Sequence, residues 1–249
     1  MKSTLLLLAL LSLVTVARAS VTETFTHTYA LNPDGVIHLD NVNGDIDITG
    51  WDKAEVSLVA EKRARNDDEL KRIEIIIEDS PARLVIKTKY SKQGSWHFFG
   101  NWNDASVHYK LMVPAGARLD KIDSVNSNIT VDGVKGTVNL ETVNGRIRAS
   151  GLMADAKIES VNGGLRADFA SLENVHDVKL ESVNGGAEVG LPKGANASLR
   201  TSSVNGGSSI DQPIKLHKSG RHSLSGEIGT GGPRIEIETV NGGISIRER

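Results

Sequence analysis

The element Val-Asn-Gly, or a close variant of it, begins at Val42, Val125, Val143, Val161, Val183, Val204 and Val240. Successive copies stand 83, 18, 18, 22, 21 and 36 residues apart. A period near 20 is what one coil of a β-solenoid requires, and it is short for a helical repeat. The last interval has room for a degenerate copy at Leu224-Ser225-Gly226-Glu227-Ile228.

Aligned on the Val, the copies share a finer pattern. Three positions earlier stands Leu39, Ile122, Leu140, Ile158, Leu180 or Ile237, and one position earlier a small polar residue: Asn41, Ser124, Thr142, Ser160, Ser182, Ser203 or Thr239. Four and six positions later come mostly aliphatic pairs, such as Ile46/Ile48, Ile129/Val131 and Ile244/Ile246. Alternation of this kind is the period of a strand with one buried face. Asn and Gly between the runs tolerate the positive φ of a sharp bend. Each unit therefore reads as strand, bend, strand.

Two all-β architectures fit. One is a right-handed parallel β-solenoid of about 20-residue coils, with a less regular β region before it. The other is an antiparallel hairpin meander or sandwich, because Asn-Gly between alternating runs is also a hairpin signal. Recurrence of the same bend favours stacked coils, in which Asn126, Asn144, Asn162, Asn184, Asn205 and Asn241 would lie about 4.8 Å apart and bond as a side-chain ladder. Asn162, at mid-array, is expected to be buried with its amide bonded to both neighbours. Before the regular repeats of 120–249, the stretch 20–119 holds one full unit at Val36 to Ile48. Strands are expected there at Glu55–Ala60, Ile73–Glu78, Leu84–Thr88 and Val107–Val113, with a short helix in Asn66–Arg72 capped by Asn66 or Asp67. No Gly/Ser linker divides 20–249, which is read as one domain.

The repeated [ILV]-[DE]-[ST]-V-N-G-x-[IL], the early run Asn43 to Asp52 (NGDIDITGWD) and Val113-Pro114-Ala115-Gly116 resemble the putative-adhesin family across nearly the whole chain. That resemblance implies an exported bacterial β-solenoid and supplies no catalytic residues to carry over.

The first 19 residues carry their own signal. Lys2, the uncharged aliphatic run Leu5 to Val16 and Ala17-Arg18-Ala19 form a secretory leader with cleavage expected near Ala19. Its apolar run is shorter than the roughly 20 residues of a membrane span, and no later segment is apolar enough to serve as one. Without Lys2 and Arg18 the chain would hold 27 basic and 31 acidic residues, so no basic surplus points to nucleic acid. There is no cysteine, hence no disulfide, thiolate metal site or cysteine nucleophile.

Site signals are sparse. Asp40, Asp123, Glu141, Glu159, Glu181 and Glu238 stand two residues before the Val and would form an outward acidic row. Lys121, Lys157, Lys179 and Arg200, two further back, would neutralise it as a solvated face rather than a cation- or glycan-binding strip. The Gly-Gly-x-Gly-x-Asp calcium repeat is absent, and His217 with His222 reads as a polar turn, so neither metal nor cofactor is expected. A polysaccharide-active β-helix lyase or hydrolase is the alternative function; short coils leave little room for its loops, and two or three carboxylates within about 10 Å in a cleft would favour it. Trp96, Phe98, Phe99 and Trp102 place four of ten aromatics within seven residues. They are the expected contact with an envelope protein or glycan, or else a cap on the stack. The leading expectation is a non-enzymatic, exported envelope or surface interaction protein, periplasmic or cell-surface.

Overall fold

The computed structural model describes residues 20–91 and 105–249, in which seven repeat units stack by parallel pairing. The leader expected at 1–19 and the aromatic residues Trp96, Phe98, Phe99 and Trp102 lie outside the described residues. The strands before the regular array are β1 (Val21–Ala30), β2 (Val36–Asp40), β3 (Ile46–Trp51), β4 (Glu55–Ala64), β5 (Ile73–Ser80), β6 (Arg83–Tyr90) and β7 (Ser106–Pro114). The helix α1 (Asp67–Leu70) lies between β4 and β5, and the Asn66 side chain caps it by accepting from the Glu69 N–H at 2.9 Å. There follow β8 (Arg118–Asn126), β9 (Ile129–Asp132), β10 (Val138–Asn144), β11 (Ile147–Leu152), β12 (Ala156–Asn162) and β13 (Leu165–Phe169). The chain continues through β14 (Asp177–Asn184), β15 (Ala187–Leu191), β16 (Ala197–Ser203), β17 (Ser208–Ile210), β18 (Ile214–Ser219), β19 (Ser223–Ile228), β20 (Arg234–Asn241) and β21 (Ile244–Glu248).

These strands form two sheets. Sheet A has the order β1-β4-β7-β3-β9-β11-β13-β15-β21-β17, and sheet B the order β18-β19-β16-β20-β14-β12-β10-β8-β2-β6-β5. Each repeat unit supplies the strand before its Val to sheet B and the strand after its Gly to sheet A. Neighbouring units pair parallel, Leu140 opposite Ile158 and Ile158 opposite Leu180, so the repeats are not an antiparallel meander. Antiparallel pairing is found at the ends of the sheets, in β1–β4, β4–β7, β5–β6, β16–β19 and β18–β19. Leu224–Ile228, read from sequence as a degenerate repeat, is part of that antiparallel edge and not a coil; the β18–β19 hairpin accounts for the 36-residue interval.

Stacking does not follow chain order. The first unit, β2–β3, is inserted between β6–β7 and β8–β9, and the last, β20–β21, between β14–β15 and β16–β17. The inward positions of both sheets close over one aliphatic core running from Tyr29 to Ile246, in which most members are fully buried.

Two polar ladders run along the bends. On the surface, each Asn side chain donates to the Oδ1 of its neighbour in one direction. Asn126 donates to Asn43 at 2.7 Å; Asn144 to Asn126, Asn162 to Asn144, Asn184 to Asn162, Asn241 to Asn184 and Asn205 to Asn241 all do so at 2.8 Å. Asn162 is exposed, not buried as expected, because the bend swings the side chain out past the edge of the core. Inside, the small polar residue before each Val is buried; Ser124 bonds the hydroxyl of Ser127, and the others hold a backbone carbonyl at a bend. Thr142 donates to Ser127 O at 3.2 Å, Ser160 to Gly145 O at 3.2 Å, Ser182 to Gly163 O at 3.0 Å and Ser203 to Gly242 O at 2.9 Å. The bends stack so closely that a Cβ on Gly163 would collide with the carbonyl oxygen of Gly145. Only Gly permits that approach.

Burial ranks the two ladders. Ser182→Ala removes a buried hydroxyl and leaves the half-buried carbonyl of Gly163 without its donor, which should cost about 1–3 kcal/mol, whereas the partners stranded by Asn162→Ala turn to water and the loss should stay near about 1 kcal/mol. Chemical denaturation of the two variants checks this order; the reverse order would mean that the exposed ladder, and not the buried one, holds the stack.

Candidate functional site

Outward side chains of sheet B repeat with the units, so the face is a set of columns one strand spacing apart. In stacking order, the position two before the Val carries Asp40, Asp123, Glu141, Glu159, Glu181, Glu238 and Ser202. Two residues earlier the column reads His38, Lys121, Asn139, Lys157, Lys179, Glu236 and Arg200. The Val itself also points outward, and Val125, Val161, Val183, Val204 and Val240 are between 39% and 56% exposed. This exposed apolar column was not anticipated from sequence, although its parity with the acids, two residues apart on one strand, implied it.

Beside the Val column runs a shallow groove of about 420 Å³, lined by Glu141, Glu159, Glu181 and Glu238 on one flank and Val161, Val183, Val204 and Val240 on the other. The stack gathers carboxylates that the sequence spreads one per coil. Three of the six acids of the row are engaged by the base two residues earlier: Asp123 by Lys121 at 3.0 Å, Glu159 by Lys157 at 3.0 Å and Glu181 by Lys179 at 2.8 Å. Arg200 instead reaches Glu236, at 3.4 Å, because Ser202 stands at its own acid position. Partial burial, and then the hydrogen bond with Glu181, raise the Glu159 carboxyl above its ordinary range against the pull of Lys157. The Lys179 hydrogen bond holds Glu181 below its ordinary range.

Chemically, the groove offers apolar contact and hydrogen-bond acceptors to an extended ligand. Its carboxylates share one column and one flank, whereas acid–base attack on a glycosidic bond uses two carboxyls placed on opposite sides of that bond. A second groove of about 290 Å³, on the outer face of sheet A, is lined by Arg146, Arg148 and Arg166. Arg166 is already bound by Asp168 at 2.8 Å and Glu188 at 3.2 Å. Among the described residues no group of three His, Asp or Glu side chains could hold a metal ion, and no helix is long and apolar enough to cross a membrane. His217 and His222 do not converge: His217 faces Glu227 at 3.4 Å and His222 the carbonyl of Ser203 at 3.2 Å.

Opposite shifts predict opposite pH effects. Glu159, raised in the fold, stabilises while protonated; that contribution is present at low pH and is lost as pH rises through its folded value. Glu181, lowered in the fold, contributes stability above the unfolded carboxylate value and loses it as pH falls through its own folded value. At neutral pH Glu159→Gln should be neutral or slightly stabilising and Glu181→Gln destabilising, each by less than about 0.5 kcal/mol at these half-exposed positions. Melting curves at pH 7 and pH 4 that move both variants in the same direction would contradict the assignment.

A family model described as Toastrack DUF4097 matches residues 25–247. Among solved structures, a "putative cell adhesion protein" from Clostridium sporogenes superimposes with a TM-score of 0.52 at 16% identity, covering 91% of this chain and 100% of the other. A "putative adhesin" from Bacteroides fragilis does so with a TM-score of 0.42 at 13% identity, covering 91% and 97%. At these identities the likeness to the first is one of fold. Among curated proteins none matches.

Proposed function

The chain belongs to the Toastrack DUF4097 family, and from that premise we propose that it is a non-enzymatic interaction protein of the cell envelope or cell surface. The observation that carries this reading is the outer face of sheet B, where an exposed Val column adjoins a row of carboxylates of which Glu159 and Glu181 pair with lysines. Apolar side chains left in water over several coils gain by being covered, at about 25 cal/mol per Å². The groove's carboxylates stand in one column along one flank, which gives no second carboxyl across a bound glycosidic bond. In the same reading residues 20–249 act as one right-handed solenoid of coils of about 20 residues, released by cleavage near Ala19. Trp96, Phe98, Phe99 and Trp102 supply a second contact with an envelope protein or glycan.

The polysaccharide-active alternative draws support from one feature, the stacking of Glu141, Glu159 and Glu181 in the 420 Å³ groove. One pair of variants separates the readings. Val161→Thr with Val183→Thr keeps side-chain shape and should move Tm by a few degrees at most, while weakening binding to isolated envelope at least about tenfold. Glu159→Gln should leave that binding in place. Polysaccharide cleavage by the wild type that disappears in Glu159→Gln would overturn the interaction reading. Export has its own check, since the envelope form should begin at Ser20 when its N-terminus is sequenced.

A further inference from the structure

A stack of parallel units has two ends, and in this chain both are unfinished in complementary ways. Among the described residues, sheet B ends at the unpaired edges of β5 and β18, and sheet A at those of β1 and β17. Beyond the last unit, β16–β17, sheet B continues for two strands, β19 and β18, while sheet A stops. Beyond the outermost unit at the other end, β6–β7, sheet A continues for two strands, β4 and β1, and sheet B for only one, β5. Each end therefore presents a ledge, made by opposite sheets.

Both ledges expose their inward face. On β18, Leu216 lies opposite Gly226, which in turn lies opposite the core residue Leu199, yet Leu216 is 50% exposed. Ile214 on the same strand is half-buried. On β1, Phe25 and His27 lie opposite the core residues Ala60 and Leu58, and Phe25 is only half-buried while His27 is exposed. Their rings stack 6.2 Å apart; no strand of sheet B lies beneath them, and among the described residues the other element packed against β1, besides β4, is the short helix α1, whose Leu70 joins the core. An isolated edge of a regular sheet is normally blunted by Pro, by a bulge or by inward charge. The ten-residue pairing of β1 is unbroken and neither β1 nor β18 contains Pro; β18 does carry a bulge between Leu216 and Lys218, and Glu23 of β1 shares the inward parity of Phe25 and pairs with Lys62 at 3.3 Å.

The charges match as well. The edge strand β5 carries Glu74, Glu78 and Asp79, backed by Lys87 and Lys89 on β6. The edge strand β18 carries Lys215, His217 and Lys218, backed by Glu227 on β19. Sign alternates from strand to strand at each end, and the alternation continues if β18 is placed beside β5.

We propose that copies of this chain join head to tail, with β18 of one copy pairing antiparallel to β5 of the next and the β1 ledge closing over the β18 ledge. Strand directions permit it, because β18 runs with the repeat strands of sheet B and β5 runs against them. In the register that sets Leu216 opposite Ile75 and Ile214 opposite Ile77, His217 faces Glu74. Phe25 and His27 then cover the two exposed aliphatics of β18. The contact joins different surfaces, so it leaves a free end at every step and builds an open filament instead of a closed dimer.

Sedimentation velocity and light scattering of the purified protein over a wide range of concentration test this. Average mass should climb without a plateau and fall with added salt. Lys215→Glu with Lys218→Glu, and separately Glu74→Lys with Glu78→Lys, should each weaken association at least about tenfold. In an equimolar mixture the acidic β18 end of one variant meets the basic β5 end of the other, and the two native ends meet each other, so the mixture should assemble again. Unchanged melting of each variant shows that the fold survives. Should a charge variant fail to fold, Leu216→Ser, at a half-exposed position, must lower association on its own. Monomers at every concentration, a mass that levels off at a dimer, or failure of the mixture to reassemble would overturn the proposal.

Discussion

Every other feature of the molecule depends on the contact between one bend and the next. Adjacent units lie one strand spacing apart, about 4.8 Å, and that distance is set by backbone hydrogen bonds rather than by side chains. At the bends it leaves no room for a Cβ, so Gly145, Gly163, Gly185 and Gly242 meet the carbonyl oxygens of the units beside them. With the backbone this close, a side chain just inside the bend reaches a neighbouring carbonyl, and a side chain just outside it reaches its own counterpart. Ser or Thr satisfies the first geometry and Asn the second. Val-Asn-Gly and the small polar residue before it are the chemical consequence of one distance.

That identity of contacts has a cost in specificity. Units that present the same ladder to both neighbours do not encode their own place in the stack, yet β2–β3 and β20–β21 are both inserted out of chain order. The differences come from single repeat positions that break the pattern. Ser127, where other units have Gly, donates to the carbonyl of Gly44 at 2.6 Å, and Asn41 replaces the usual hydroxyl and donates to Gly44 O and Val107 O, each at 3.0 Å. These two irregular residues mark the junction of the first unit with β7 and β8. Insertion ties residues far apart in sequence into adjacent strands, as with Asn43 and Asn126. It therefore fastens both terminal regions at the expense of slow, non-local pairing during folding.

Much of this was legible in the sequence, and the gaps have physical causes. The two-residue period gave the strands, the repeat gave parallel stacking, and Asn66 gave the cap of α1, because each is a local rule. Out-of-order insertion was not legible, since interchangeable units fit in any sequence order. The misplacement of Asn162 arose from treating a ladder as necessarily interior; two amides bonding edge to edge need alignment, not burial. Leu224–Ile228 imitates a unit through its Gly and its alternation, but Gly226 there admits the side chain of Ile214 from the hairpin partner instead of forming a bend. The outward Val column has no local signal of its own, because an aliphatic residue beside a bend suits either face; only its parity with the acid two residues earlier assigns it outward.

Inward positions are fixed by packing, since a repeat that closes a core must reuse residues of similar size at every level. Outward positions carry no such demand. Where the outer columns break their own pattern, the change is therefore free to serve something other than the fold. Asn139 leaves Glu141 without a lysine on its own strand, Ser202 removes an acid, and Glu236 takes Arg200 and Arg234 as partners in place of a base. These three departures lie on or beside the groove formed by the units around β10, β12, β14, β20 and β16, while a fourth, His38, lies apart on β2. A uniform ladder thus supplies an evenly spaced frame, and most of the outer positions of sheet B that depart from it stand at the groove.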